Sequence, residues 1–204
     1  EGAGFLGLRD LHGPDERLLQ RGGAMPGSQL SLQVAPLGYD DSDPESIERF
    51  GKRLIGRTLR ESLQSDRGVK ASLGKGGFGE DLERLYFELP RSNQSRPDFE
   101  AAGLELKSSP LRRLKTGRLV PKERVSLSMI DYVRILDEDW ETSAFLSKNR
   151  HILFVFYLHE EGVKSHLDYV VKYVGRWTIP EECLPLLEKD WRRIQRLIRA
   201  AGPG

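Results

Sequence analysis

The sequence predicts an α/β protein, because segments with helical periodicity alternate along the chain with segments that have the pattern of strands. Apolar residues recur at helical spacing in residues 43–63, 80–89 and 180–200. Strand patterns cover residues 104–107, 125–130, 151–159 and 167–174. This alternation is typical of a sheet with helices packed against it.

The composition indicates a soluble domain without a disulfide framework. The chain has 204 residues, of which 38% are hydrophobic and 31% charged, and its formal net charge is +1. This length allows one domain with a sizeable core. The single cysteine, Cys183, is expected to pack in a helix and fits a reducing, cytoplasmic location. The longest apolar run, residues 152–158, is too short to cross a bilayer, so no membrane association is expected.

The folded domain is predicted to occupy residues 41–204. Residues 1–40 are rich in glycine and proline and have no sustained periodicity, so they are predicted to be irregular or mobile. A helix is predicted to begin at Pro44, with Asp43 as its N-cap, and to continue through Leu63. Its arginines, Arg53, Arg57 and Arg60, are expected to point outward.

Residues 98–107 are the stretch around which the rest of the domain is organised. Leu104 to Lys107 alternate apolar and charged residues, which predicts a half-buried strand with Glu105 and Lys107 on the polar face. Pro97 and Gly103 favour a turn before this strand. Such a turn would bring the Asp98 and Glu105 carboxylates together beside the Lys107 ammonium.

The chemistry of this trio favours metal-assisted hydrolysis of a phosphodiester. Two neighbouring carboxylates suit hydrated Mg²⁺, which keeps several waters and takes one or two protein carboxylates. The metal would polarise a phosphoryl oxygen and lower the pKa of a bound water. Lys107 would position that water or balance the developing negative charge. The alternative is an ordinary solvated strand face, because this spacing also arises by chance in a highly charged chain.

A second acidic candidate is Glu83. A glycine-rich turn at residues 75–79 precedes a helix predicted for residues 80–89, with an apolar stripe formed by Phe78, Leu82, Leu85 and Leu89. The turn lacks the ending of a phosphate-binding P-loop. Glu83 lies beside the stripe, where the helix can direct it toward a neighbouring strand. The simpler interpretation is a surface carboxylate.

Positive charge is concentrated directly after the candidate strand. Residues 107–124 contain only one acid, Glu123, and seven basic residues: Lys107, Arg112, Arg113, Lys115, Arg118, Lys122 and Arg124. Pro110 and Gly117 predict a loop or arm here. A patch of this kind suits contacts with DNA phosphates, and a solubilising loop is the alternative.

The remaining segments are interpreted as structural. The apolar run from His151 to His159 predicts a strand that is covered on both faces. His151, His159 and His166 share no metal-ligand spacing. The last helix is predicted to open at Pro180 and to bury Leu187, Trp191, Ile194 and Ile198. Its arginines, Arg192, Arg193, Arg196 and Arg199, are expected to form a solvated face, and contact with the DNA backbone is the alternative.

Several of these motifs, in this order, resemble those of the MutH family of endonucleases, and more closely its type II restriction enzymes. Lys75-Gly76, with Gly79 and Glu83, resembles a K-G-x-x-G-x-x-x-E segment. Asp98, Glu105 and Lys107 match a D-x6-E-x-K active site. Residues 140–143 form a W-E-T-S block that Lys148 follows. The resemblance covers roughly residues 42–200.

The resemblance implies a restriction-endonuclease-like fold, with a mixed sheet flanked by helices and two arms that hold double-stranded DNA in a cleft. It implies that Asp98, Glu105 and the Leu106 carbonyl bind Mg²⁺ and that Lys107 acts on the attacking water. Glu83 and Lys148 would be further catalytic residues. The DNA-binding set would be Lys75, Arg112, Arg113, Lys115, Arg118, Lys122 and Arg124. The products would carry 5′-phosphate and 3′-hydroxyl ends.

Three functions fit this interpretation. The first is a type II site-specific deoxyribonuclease, for which a companion DNA methyltransferase is an expected partner. The second is a repair-type strand nickase under a partner's control. The third is a MutH-like domain that binds DNA without cutting, and loss of the carboxylates would mark it. Family members usually continue past the last helix into strands and a basic tail that read bases, and this chain is expected to lack them.

Overall fold

The computed structural model describes residues 38–68, 77–90 and 95–202. The prediction of an irregular or mobile segment covers residues 1–40, of which residues 1–37 lie outside the described residues, as does the DNA-binding role predicted for Lys75. Tyr39, within the described part of that segment, is buried in the main core, and its hydroxyl donates to the Phe87 carbonyl at 2.7 Å. Within the described ranges, no helix is both long enough and apolar enough to cross a membrane.

A mixed four-stranded sheet forms the centre of the domain, in the order β2-β1-β3-β4. The strands are β1 (Glu105–Arg113), β2 (Leu119–Pro121), β3 (His151–Leu158) and β4 (Val170–Thr178). β1 and β3 are parallel, with Glu105 opposite Ile152, and the two outer pairs are antiparallel. Helices flank the sheet, which confirms the predicted α/β class.

The main core lies on one face of the sheet. It is covered by α1 (Pro44–Lys52), α2 (Leu59–Asp66), α3 (Phe78–Asp81) and a π-helical turn (Leu82–Tyr86) that continues α3. Leu104 and Leu106 are buried there, as their alternation with Glu105 and Lys107 predicts. Gly51 lets α1 approach β4 closely, because a Cβ at this position would lie 3.1 Å from Val174 Cγ1.

The first predicted helix is interrupted. α1 ends at Lys52, and Gly56 adopts a left-handed conformation (φ 81°) that glycine tolerates best. Thr58 and Glu61 then form a capping box that starts α2. The apolar residues keep their predicted burial, because the break preserves the face of each helix. Arg57 and Arg60 do not point freely outward as predicted, since they form ion pairs with Asp66 and Asp168.

A second, smaller core packs α4 (Ala144–Asn149) against α5 (Leu184–Ala201), with Trp140, Leu146 and Trp191 buried between them. The predicted last helix starts as a 3-10 turn, Glu181–Cys183, before it becomes α-helical. Cys183 is exposed rather than packed, which corrects the prediction. Buried Gln195 donates hydrogen bonds to the carbonyls of Ile135 and Glu138 and closes this core.

The basic segment is a β-hairpin, so the prediction of a loop is wrong. β1 continues through Pro110 to Arg113, and the chain turns at Gly117 (φ 83°) into β2. Proline is tolerated because the Pro110 carbonyl accepts from Lys122 N, just past the end of β2. The missing N–H of Pro110 therefore faces the short edge strand and not the ladder with β3.

Two further strand predictions need correction. Residues 125–130 alternate in hydrophobicity but form no strand, since none of them pairs with a strand of the described chain, and Ile130 packs against the smaller core instead. β4 begins at Val170 rather than at residue 167, because Ser165 caps a 3-10 turn, His166–Asp168.

The second face of β3 is only partly covered, contrary to the prediction. Phe154 and Phe156 are half-buried, and they contact the exposed rings of Trp177 and Tyr173 from β4. Glu105 and Lys107 point to this same face, because they lie opposite Ile152 and Phe154 in the parallel pair.

Candidate active site

Asp98 is fixed beside the first residues of β1 by a tight turn. Phe99 and Leu104 exchange backbone hydrogen bonds of 3.0 and 3.2 Å, and Gly103 takes the left-handed conformation (φ 60°) inside the turn. Asp98 Oδ2 accepts a hydrogen bond from Leu106 N at 3.0 Å. The turn predicted between Asp98 and Glu105 is therefore present, and it holds the aspartate next to the strand.

Glu105 is the most constrained acid of the site, with 2% of the residue exposed. Its Oε1 contacts Lys107 Nζ at 3.1 Å and Lys148 Nζ at 3.3 Å. Its Oε2 is buried and has no hydrogen-bond partner among the described residues. Burial and the nearby Asp98 raise the pKa of Glu105, and the two lysines oppose that rise. A buried carboxylate oxygen without a partner is uncommon, and a bound cation, a hydrogen-bond donor or protonation would satisfy it.

Glu83 enters the same region from the π-helical turn. Burial, followed by the negative charges of Asp98 and Glu105, raises its pKa from 4.5 to about 7. Lys107 and Lys148 act in the opposite direction. The structure thus brings together all five predicted catalytic side chains, Glu83, Asp98, Glu105, Lys107 and Lys148.

The π-helical turn that carries Glu83 is anchored by the contacts of the buried Asp81 carboxylate. Asp81, which is fully buried, contacts His166 Nε2 at 2.8 Å and Arg84 Nη2 at 3.1 Å. The wider turn closes with Phe87 N donating to Leu82 O, five residues back. The interpretation of His166 as structural fits this contact, which the sequence does not signal because His166 and Asp81 are 85 residues apart.

Lys148 reaches Glu105 because the W-E-T-S block shapes the start of α4. Ser143, fully buried, accepts from Leu146 N at 3.2 Å as N-cap and donates to Trp140 O at 2.7 Å. Trp140 in turn packs against Trp191 of α5. The block therefore sets the position of a six-residue helix whose last turn carries Lys148.

The residues present fit a hydrated Mg²⁺. Among the described residues, no group of three or more His, Cys, Asp or Glu side chains forms a ready-made cage. Mg²⁺ does not need one, because it keeps several waters and takes one or two carboxylates. Glu105 Oε2 offers a buried oxygen that no described donor satisfies. The Leu106 carbonyl is on the Asp98 side of β1, because the N–H and C=O of a strand residue point the same way.

Lys107 and Lys148 line a cleft of about 880 Å³. Its other walls come from the irregular segment 127–131, the turn at Arg134 and Ile135, and α4 with Trp191. A cleft of this size accepts a substrate much larger than a metal ion.

The predicted DNA-binding residues of the described chain are all exposed: Arg112, Arg113, Lys115, Arg118, Lys122 and Arg124. The first four lie at the far end of β1 and in the turn that follows, which is closed where Leu114 N donates to Arg118 O at 2.9 Å. Lys122 lies beside Pro110 in the middle of β1, because β2 runs back antiparallel to it. The structure therefore separates the cations of the turn from the acidic pair by most of the length of β1.

A mixed sheet flanked by helices, with acids and lysines gathered at the start of an inner strand, is a restriction-endonuclease-like α/β fold. The chain belongs to the MutH family, since the family model described as DNA mismatch repair enzyme MutH matches residues 87–190. The resemblance drawn from the sequence motifs is thus confirmed. The matched range contains Asp98, Glu105, Lys107 and Lys148, and Glu83 lies just before it.

Two relatives are similar over most of this chain. The type II restriction enzyme Sau3AI of Staphylococcus aureus is 30% identical over 156 residues, which are 76% of this chain and 31% of that protein. The DNA mismatch repair protein MutH of Vibrio campbellii (strain ATCC BAA-1116) is 28% identical over 146 residues, 70% of this chain and 57% of that protein. The chain thus spans less than two thirds of either relative.

We predict that Glu83→Gln stabilises the metal-free protein at neutral and higher pH. The folded-state pKa of about 7 exceeds the ordinary 4.5, so the unfolded state ionises first and stability falls as pH rises between these values. Removing the charge should raise the free energy of unfolding near pH 8 by roughly 1–3 kcal/mol, a range that allows for solvent screening of this half-buried group. The difference should vanish below the ordinary pKa. Urea unfolding in EDTA measures it.

The matched control for this measurement is Glu161→Gln, an exposed acid in the turn after β3. It should leave the stability curve unchanged. Identical unfolding of Glu83→Gln and the wild type near pH 8 would contradict the burial and charge crowding described for Glu83.

Proposed function

We propose that this chain is a Mg²⁺-dependent endonuclease that hydrolyses phosphodiester bonds of double-stranded DNA at a specific short sequence, as a type II restriction enzyme does. The observation that carries the proposal is the environment of Glu105. One of its oxygens is held by two lysines, the other is buried without a partner in the described part of the chain, and the charge of Asp98 raises the pKa of the group. Similarity to Sau3AI over 76% of the chain supports the restriction type.

Each side chain has a role that follows from its position. Asp98, Glu105 and the Leu106 carbonyl would hold Mg²⁺, which supplies Lewis-acid stabilisation of the phosphate when bound. Lys107 would orient the attacking water through Nζ. Lys148, anchored on α4, would balance the charge that builds on the phosphate oxygens.

Glu83 is suited to interact with the attacking water. Its pKa of about 7 leaves it partly ionised at neutral pH, so it can accept a hydrogen bond or a proton from water near the phosphate. The water oxygen would form the new bond to phosphorus and give its proton to Glu83 or to solvent, while the bond between phosphorus and the 3′-oxygen breaks. The leaving 3′-oxygen would take a proton from solvent, so the products would be a 5′-phosphate and a 3′-hydroxyl.

A strand nickase of the mismatch-repair type is the second candidate, which the similarity to MutH of Vibrio campbellii favours. A restriction enzyme would work beside a companion DNA methyltransferase, whereas a nickase would depend on a regulatory partner. A MutH-like domain that binds DNA without cutting fits less well, because both carboxylates and both lysines are present in one site. Supercoiled plasmid separates the first two, since a restriction enzyme yields linear product and a nickase yields persistent open circles.

We predict that Asp98→Asn, Glu105→Gln and Lys107→Ala each slow cleavage of supercoiled plasmid in Mg²⁺ by roughly 10²–10⁴-fold. Each change removes a group that would hold the cation or orient the water. The readout is the rate of appearance of linear and open-circle DNA, with EDTA as the metal-free reaction.

Suitable controls are Glu161→Gln and Lys189→Ala, which alter charges outside the cleft and should cut at the normal rate. Wild-type cleavage by Glu105→Gln would show that the metal site is not here. Sequencing the product ends identifies the target and the termini.

We predict that Arg112→Ala combined with Arg113→Ala weakens DNA binding and lowers its salt dependence. Each phosphate that the variant no longer neutralises should reduce the slope of log affinity against log salt by about 0.9. Binding to a duplex, with Ca²⁺ replacing Mg²⁺ to prevent cutting, is measured at several salt concentrations.

The double variant Arg193→Ala and Arg196→Ala makes the same charge change on the exposed side of α5 and is the control. It should leave the slope unaltered. If the hairpin variant kept the wild-type slope, the hairpin would not belong to the DNA interface.

A further inference from the structure

The irregular segment after β2 exposes large apolar side chains without a partner in the described part of the chain. Met129 is 99% exposed, Tyr132 68% and Val133 77%. Three such residues within five positions form a cluster, whereas single exposed apolar residues are common on protein surfaces. The cluster therefore indicates a binding role.

Hydrogen bonds from side chains fix the backbone on both sides of this cluster. Asp131 Oδ1 accepts from the N–H groups of Val133 and Arg134, both at 3.0 Å, and the turn Arg134–Asp137 follows directly. Before the cluster, Ser128 Oγ accepts from Asn149 Nδ2 at 3.1 Å. Side-chain contacts thus hold both sides of the cluster, which limits the ordering needed when a ligand binds.

One member of the cluster, Met129, lines the cleft at the candidate active site, and Tyr132 and Val133 follow it along the chain outside the cleft lining. Met129 and Asp131 line the same cleft as Lys107 and Lys148, and Arg96 and Arg134 line it too. A polyanion whose phosphate lies against the two lysines would therefore contact Met129. This continuity connects the apolar cluster to the proposed substrate.

We infer that Met129, Tyr132 and Val133 enter a groove of duplex DNA and contact base edges or sugars next to the cleaved phosphate. The inference rests on the proposed function and specifies which side chains contact the DNA substrate. A segment one chain wide fits a groove about 6–12 Å across. It is too small for a stable protein interface, which buries about 800 Å² on each partner. Apolar side chains are used in this way by proteins that enter DNA grooves.

The test is the triple variant Met129→Ala, Tyr132→Ala and Val133→Ala. We expect kcat/KM on supercoiled plasmid to fall at least about tenfold and duplex affinity in Ca²⁺ to fall by a similar factor. The salt slope should stay at the wild-type value, because an apolar contact releases no counterions. The unchanged salt slope would distinguish the role of the cluster from that of the basic hairpin, whose loss should lower the slope.

Matched controls keep the test specific. Leu186→Ala and Leu197→Ala remove exposed leucines from α5, away from the cleft, and should behave as wild type. The conservative pair Met129→Leu and Tyr132→Phe should lose less duplex affinity than the triple alanine variant, because it keeps most of the apolar bulk. An unchanged melting temperature of the triple variant confirms that it folds, as expected for side chains this exposed.

Three outcomes would overturn the inference. One is wild-type cutting and binding by the triple variant. Another is a loss of affinity together with a lower salt slope, which would make the contact ionic. The third is a wild-type dimer that becomes a monomer in the variant, which would assign the cluster to a second copy of the chain. Failure of the wild type to cut DNA at all would instead refute the proposed function, and the binding arm would still test the cluster.

Discussion

The structure depends on a buried carboxylate that is held by two ammonium groups from different elements. Burying a charge is costly unless it is paired, and within the described residues Glu105 is paired through only one of its oxygens. Lys107 comes from the same strand and Lys148 from α4, so this contact also fixes the smaller core against the sheet. The crowding of Glu83, Asp98 and Glu105 opposes folding of the metal-free chain, and a bound cation would relieve it. In the proposed metal site, the charge crowding that would favour a cation would therefore lower the stability of the metal-free protein.

Local patterns predict the centre of the site well. The alternation of Leu104 to Lys107 indicates the two faces of β1, and Gly103 indicates the turn that places Asp98, because both depend on neighbouring residues only. The W-E-T-S block is recognisable as a motif, but its physical role requires the structure. Ser143 caps α4 and is buried against Trp140, and neither contact can be derived from spacing alone.

The wrong predictions of strands and loops share a physical cause. The hydrophobic pattern of a segment predicts which side chains are buried, but not which backbone groups form hydrogen bonds. Residues 125–130 alternate like a strand but pair with no described strand, while Pro110 lies within a strand because its missing donor faces the sheet edge. The break at Gly56 leaves the helical pattern intact on both sides. Contacts such as Asp81 with His166 link distant positions and leave no trace in a single sequence.

β1 acts as a spacer as well as a scaffold. It begins at Glu105 and ends at Arg113, eight residue steps later, and an extended strand advances about 3.3 Å per residue. Glu105 in the acidic pocket and Arg113 at the turn end of the hairpin are therefore held about 26 Å apart, close to three quarters of a turn of B-DNA. The length of one strand would then fix how far from the scission point the outer phosphate contacts fall, and lengthening it by two residues would shift a hydroxyl-radical footprint by about two base pairs.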